Sequence, residues 1–179
     1  MKVRVRKYRE SDRPSLVKLI DQLLDYIASI DDLKRIRRMP GFGESYTRTM
    51  LRRVAKNDGM IYVAESGSEV VGIVVGTILN QSKQDRLEHV PAKFGEVMEL
   101  VVREGYRDKG IGTKLMNKLE EYFKAKSCTI AGVGVLAPNK GAHRLYSKLG
   151  YADRSFYMSK ELQGLDHAWA PERLGTQRT

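Results

Sequence analysis

Between Glu96 and Leu119 the chain reads EVMELVVREGYRDKGIGTKLMNKL, and no other stretch restricts the fold as much. A short apolar strand runs into a turn, then into an Arg-x-x-Gly-x-Gly segment (Arg107, Gly110, Gly112), then into an amphipathic helix. The start of a helix gathers backbone N–H donors that have no partner inside it, and the aligned peptide dipoles add partial positive charge there. Glycine at that point removes the Cβ that would hold a ligand off the backbone. With Arg107 and Lys109 in the loop, the segment is an anion site shaped for phosphate or pyrophosphate.

A chain of 179 residues reads as one domain with a full core, and 41% hydrophobic with 30% charged residues fits a globular protein. No apolar run reaches the ~20 residues that a membrane helix needs, and MKVRVRKYRESD lacks the apolar centre of a signal peptide. Cys128 stands alone, so no internal disulfide forms, and no Cys/His cluster points to a metal. A cytoplasmic protein without metal is expected. The net charge of +10 suits an anionic partner: nucleic acid, acidic protein or phosphorylated cofactor. Much of it lies in Lys34, Arg35, Arg37, Arg38, Arg48, Arg52, Arg53 and Lys56, with only Glu44 as countercharge in that stretch. Such a run is either a solvated face or a surface for an acidic acceptor or partner.

Periodicity supplies the remaining elements. Val3 and Val5 alternate with Lys and Arg as a first strand. Ser11 or Asp12 can cap a helix striped by Leu16, Leu19, Ile20, Leu23, Leu24 and Ile27, with Pro14 in its first turn. Residues 31–44 read as a loop and 45–56 as a second helix. A hairpin follows over 60–65 and 69–79, then a polar loop over 80–93. The strand at 97–102 enters the glycine segment, and the helix after it, ending near Lys126, carries Ile111, Leu115, Leu119 and Phe123 on one face. A strand over 129–136, a helix over 138–149 and a final strand over 151–159 complete the pattern. Hairpins mixed with crossovers predict a mixed sheet.

The glycine segment fits neither of two common phosphate loops. From Gly105 to Gly110 the Walker glycine spacing is present, but Ile111 and Gly112 replace the required Lys and Ser/Thr. A dinucleotide fold wants a third glycine where Leu115 stands, and wants the loop in an early βαβ unit. Instead, Arg107-Asp108-Lys109-Gly110-Ile111-Gly112 resembles the Arg/Gln-x-x-Gly-x-Gly/Ala loop of the GNAT superfamily of N-acetyltransferases. Leu100-Val101-Val102 and the spacer with Tyr106 match that family upstream, although Glu104-Gly105 stands where Pro-Asp or Pro-Glu is common. Asn139-Lys140-Gly141-Ala142-His143-Arg144-Leu145-Tyr146, continuing to Gly150-Tyr151, resembles its second segment, Asn-x-x-Ala-x-x-Leu/Phe-Tyr-x-x-x-Gly-Phe/Tyr. The likeness is good from about Val70 to Ser159 and rests on element order alone before that.

The resemblance implies an α/β (α+β) acetyltransferase domain over residues 1–162 and a C-terminal tail over 163–179. Its sheet would be mixed and mostly antiparallel, with about six to seven strands, splayed in the middle and covered by helices on both faces. The implied ligand is acetyl-CoA. The backbone of Arg107, Asp108, Lys109, Gly110, Ile111 and Gly112, with Thr113, would hold its pyrophosphate. Main-chain atoms of Leu100, Val101 and Val102 would pair with its pantetheine arm, and Asn139 would touch that arm or cap the following helix. Acetyl transfer to an amine needs a base, an oxyanion donor and an acid for the departing thiolate. Tyr146 falls on the family's tyrosine and is the implied acid, or else a core residue on the stripe Ala142, Leu145, Leu149. The oxyanion donor would be the N–H of Val101 or Val102. Glu96 and Glu99 are the candidate bases, Glu96 slightly ahead, with Tyr157 and His143 behind. Strict alternation puts Glu96 with Met98 and Leu100 on one face and Glu99 on the other, a parity that a bulge would shift.

Cys128 has no visible activating partner, so direct attack in a ternary complex is the economical mechanism. The acceptor stays open among a protein N-terminus, a lysine on an acidic protein and a small acidic amine; basic residues around it disfavour polyamines and aminoglycosides. A homodimer is compatible with the chain. The rival readings are a nucleic-acid-binding protein using 34–56, which no named motif supports, and a non-catalytic module that binds acetyl-CoA only to sense it.

Overall fold

Strand alternation and short turns build one sheet in a computed structural model that describes residues 2–160 and 162. β1 (Val3–Lys7) pairs antiparallel with β2 (Met60–Ser66), β2 with β3 (Glu69–Leu79), and β3 with β4 (Phe94–Val102). β5 (Ile130–Val133) joins β4 in parallel, so the five strands lie in the order β1-β2-β3-β4-β5. The β2–β3 hairpin closes through Gly67 and Ser68, since Ser66 stands opposite Glu69.

Helices cover both faces. α1 (Arg13–Ile30) and α2 (Phe42–Lys56) put Leu16, Leu19, Ile20 and Met50 against Ile61, Val63, Ile73, Val75 and Val101. On the other face α4 (Ile111–Ala125) buries Ile111, Leu115, Met116, Leu119 and Phe123 against Tyr62, Ala64, Val74 and Val97. Period-two strands and period-3.6 helices therefore meet as two apolar layers, each residue contributing roughly 1.5–3 kcal/mol of burial. α5 (Lys140–Lys148) follows β5, and α3 (Asp85–Glu88) is a single turn between β3 and β4. Among the described residues no helix is long and apolar enough to cross a membrane.

The mixed, mostly antiparallel character matches the sequence reading, but the strand count is lower. α2 begins at Phe42, inside the stretch read as loop, and β5 ends at Val133 rather than near Leu136. The predicted final strand over 151–159 has no regular structure. Phe156, Tyr157 and Met158 are exposed there (83%, 97% and 89%), because strand propensity forms a strand only where a neighbour supplies the ladder. The expected tail, 163–179, lies outside the described residues.

A charged cluster ties the first elements together. Arg6 of β1 donates to both carboxylate oxygens of Asp12 (2.7 and 2.9 Å) and to Glu65 of β2 (2.9 Å). Asp12 also accepts the N–H of Arg9 at the turn into α1. The Arg6 guanidinium holds the Asp12 carboxyl below its ordinary range, against the opposing effect of burial. A carboxylate depressed on folding stabilises the protein above its unfolded pKa, and that stabilisation is lost as pH falls through the folded value. Asp12→Asn is expected to cost about 2–3 kcal/mol in urea unfolding at pH 7, since it unpairs part of a buried ion cluster. The gap to wild type should narrow as pH falls through the depressed folded value, below which Asp12 is protonated in folded and unfolded chains alike.

Candidate active site

Three features converge where β4 leaves β5. First is the start of α4. Gly110 caps it with φ 72°, and Asp108 also has positive φ, 58°. This curl points the N–H groups from Asp108 through Thr113 away from the loop's own carbonyls, and none has an acceptor among the described residues. A Cβ built on Gly110 meets nothing within 4 Å, so the space before these donors is open. Gly112 serves differently: a Cβ there would stand 3.1 Å from Leu145, so the glycine lets α4 approach α5 closely.

Two cations flank the donors, neither with an acidic partner among the described residues. Arg107 lies over the ring of Tyr26 (5.0 Å) and donates from Nε to the carbonyl of Val102 (3.3 Å). Lys109 donates to the carbonyl of Gly105 (2.8 Å) and lies over Tyr106 (5.4 Å). Unpaired N–H groups, open space and free positive charge fit a pyrophosphate. Between this loop and α1 lies a cavity of about 550 Å³ of mixed charge, lined by Lys18, Arg38 and Arg107, by Asp21, Asp25 and Glu104, and by Gln22 and Tyr26. Ile111 is 2% exposed, so its side chain belongs to the core and only its N–H faces the cradle.

Second is the splay. β4 pairs with β5 only from Phe94 to Val97, opposite Ile130 to Val133. Met98 to Val102 have no partner on that side, which leaves strand backbone for a ligand to pair with. Leu100 and Val102 pack against the α4 layer, and Val101 is buried in the α1/α2 layer. The Val102 carbonyl is already taken by Arg107 and by Gln22 Nε2 (3.3 Å). Asn139 caps α5: its Oδ1 accepts the N–H of Ala142 (3.1 Å) and the hydroxyl of Tyr26 (3.3 Å). Its side-chain amide nitrogen makes no hydrogen bond among the described residues.

Third is an acid–base group created by a bulge. Val75 stands opposite Glu99 and Gly76 opposite Val97, so Met98 is an extra residue in β4. The expected parity is thereby corrected. Glu96, Met98 and Glu99 all turn toward α1 and α2, whereas Leu100 turns toward α4. Glu96 accepts from Arg53 of α2 and from Thr77 (3.1 Å). Glu99 carries no ion pair and accepts one hydrogen bond, from the hydroxyl of Tyr46 on α2. Burial pushes the Glu99 carboxyl up, and the Tyr46 hydrogen bond pulls it partly back.

Tyr146 of α5, 8% exposed, is pushed up to about 12, by burial first and by the charge of Glu99 second. Tyr146 has no hydrogen-bond partner among the described residues, so its proton is free for a ligand. The weaker candidates stand apart. Tyr157 is 97% exposed, and His143 is bound to Asp153 (2.9 Å). Burial raises the Cys128 thiol, which keeps it protonated. Tyr26, Tyr46, Arg53 and Thr77 escaped the sequence reading because each sits on an ordinary amphipathic element, and only the packed sheet brings them to β4 and the loop.

A family model described as "Acetyltransferase (GNAT) family" matches residues 21–151. The chain is 28% identical over 154 residues to a thialysine N-epsilon-acetyltransferase of Mus musculus, covering 84% of each chain. It is 31% identical over 112 residues to an uncharacterized N-acetyltransferase of Methanocaldococcus jannaschii, covering 61% of this chain and 45% of that one, so it spans less than half of that relative. The glucosamine-6-phosphate N-acetyltransferase of Arabidopsis thaliana superposes with a TM-score of 0.64 at 20% identity, over 91% of this chain and 100% of that one; the fold is shared.

Gly110→Val would force a β-branched residue into a left-handed conformation, at a cost of at least about 1–2 kcal/mol, and would place methyl groups before the donors. By calorimetry, acetyl-CoA affinity should fall at least tenfold while circular dichroism stays native.

Proposed function

The chain belongs to the acetyltransferase (GNAT) family, and on that premise we propose that residues 1–162 transfer an acetyl group from acetyl-CoA to a primary amine. The amine attacks directly in a ternary complex, with Glu99 as general base and Tyr146 as general acid. The single observation that carries this reading is the open edge of β4 beyond Val97, which leads into the unpaired N–H groups at the start of α4.

Acetyl-CoA supplies the activated thioester. The N–H groups of residues 108–113, with Arg107 and Lys109, hold its pyrophosphate; the free edge of Leu100 to Val102 and the Asn139 amide align the arm. Main-chain N–H at Val102 meets the negative charge that grows on the carbonyl oxygen; the Val101 N–H, by the alternation of the ladder, points to β3. Glu99 takes the proton from the amine. Its raised pKa brings it nearer the working pH, where a carboxylate is a better base. Tyr146 keeps its proton well past neutrality and gives it to the departing sulfur.

Glu99 is preferred to Glu96 because Arg53 already neutralises Glu96. Its Oε2 is occupied by Arg53 and Thr77, and we assign Glu96 and Arg53 to holding the acceptor. The relative acting on thialysine supports a lysine-like side-chain amine as the first acceptor to test. The exposed Arg48, Arg52 and Lys56 on α2 favour an acceptor carrying negative charge nearby.

A screen of thialysine, lysine, amino-sugar phosphates and acidic peptides, read by thiol release, tests the activity. Tyr146→Phe and Glu99→Gln should each lower turnover by roughly 10²-fold or more, with acetyl-CoA affinity within about twofold of wild type. Glu96→Gln should act mainly on the acceptor KM. Near-full turnover by Tyr146→Phe, with chemistry rate-limiting, would remove the acid assignment.

A further inference from the structure

We infer that Tyr46 is a positioning residue for the reaction: its phenol holds one oxygen of the Glu99 carboxylate and leaves the other to receive the proton of the amine. The inference rests on Glu99 being the base, and the experiment below separates the two.

The geometry is specific. Tyr46 lies one helical turn beyond Phe42 on α2, and their rings stack at 5.3 Å with 27° between planes. That contact fixes the tyrosine ring against the sheet. Its hydroxyl donates to Glu99 Oε1. Glu99 Oε2 makes no hydrogen bond among the described residues. Glu99 shares the α1/α2 face with Val101 by regular alternation, and the extra residue at Met98 brings Glu96 onto that same face. One oxygen is thus anchored and the other directed, which is what near-attack geometry asks of a base.

The surroundings give the phenol a second effect. Glu99 is faced by Tyr46 from α2 and Tyr146 from α5. Glu96 and Arg53 pair with each other nearby and act on Tyr46 with opposite signs. Burial alone would push Glu99 toward its neutral form, which accepts no proton. Donation from Tyr46 opposes that and keeps the carboxylate ionisable. Burial first, then the charge of Glu99, raises Tyr46 itself above the ordinary tyrosine range. It therefore stays a donor throughout the working pH range and does not compete as a base.

Tyr46→Phe keeps the stacked ring and deletes the hydroxyl. Carbon-13 NMR of glutamate carboxyls, with the Glu99 signal assigned by its loss in Glu99→Gln, should show the Glu99 midpoint rising by roughly one pH unit in Tyr46→Phe, the scale of a hydrogen bond to a charged group. Acetyl-CoA affinity should stay unchanged. Phe42→Leu, which loosens the stacking but keeps the hydroxyl, should leave the midpoint within about 0.3 of wild type, since packing alone does not set the titration. In wild type, the Tyr46 ring Cζ signal should titrate with the Glu99 midpoint, a readout that needs no variant at Tyr46. An unmoved Glu99 midpoint in Tyr46→Phe, or a Tyr46 signal indifferent to Glu99, overturns the inference while leaving Glu99 as base. Normal turnover by Glu99→Gln removes the base assignment, and the positioning role with it, even where the hydrogen bond is seen.

Discussion

Everything catalytic in this protein depends on β4 having two different edges. Along one edge it pairs with β3 from Phe94 to Val102; along the other it meets β5 only up to Val97. Parallel pairing needs both chains to run straight together, and the extra residue at Met98 kinks β4 where that pairing stops. The same irregularity puts Glu96 and Glu99 on one face of the sheet, toward α2. One extra residue thus marks where the cleft opens and sets two carboxylates beside each other.

The anion cradle depends on that geometry in turn. The end of β4 is clamped by Gln22 of α1 and by Arg107, both donating to the Val102 carbonyl. Tyr26 lies under Arg107 and reaches Asn139, so α1 links the glycine loop to the start of α5. A loop of exposed polar residues would otherwise be free to vary; here its cation is stacked and its carbonyls are in use. The donors at the helix start are held ready, and little ordering remains to be done when an anion arrives.

The fold was legible in the chain wherever one period dominated. Val3 and Val5 alternating with Lys and Arg marked β1, Gly67 between Val-rich runs marked the β2–β3 hairpin, the stripe of Leu115, Leu119 and Phe123 marked α4, and Gly110 marked the start of that helix. Reading failed where structure depends on a neighbour. Strand propensity over 151–159 could not tell whether a partner strand lies alongside. Parity counted from Glu96 to Leu100 assumed a regular strand, and a bulge is set by how β3 and β4 pack, not by residue type. Tyr46 carried no local signal, since a tyrosine on an amphipathic helix is ordinary core until its hydroxyl finds a carboxylate.

The sequence by itself determined the glycine loop at the start of α4, the β2–β3 hairpin and the apolar stripes of α1 and α4, because turn chemistry, helix starts and periodicity are local properties of neighbouring residues. The tertiary structure alone decided which glutamate faces the cleft, what holds it and where the sheet opens. Those depend on contacts between residues far apart in the chain: Glu99 with Tyr46, Glu96 with Arg53, Val97 with Val133. Local chemistry could place an anion loop beside a strand; only packing could show which carboxylate is paired and which is buried without an ion pair among the described residues.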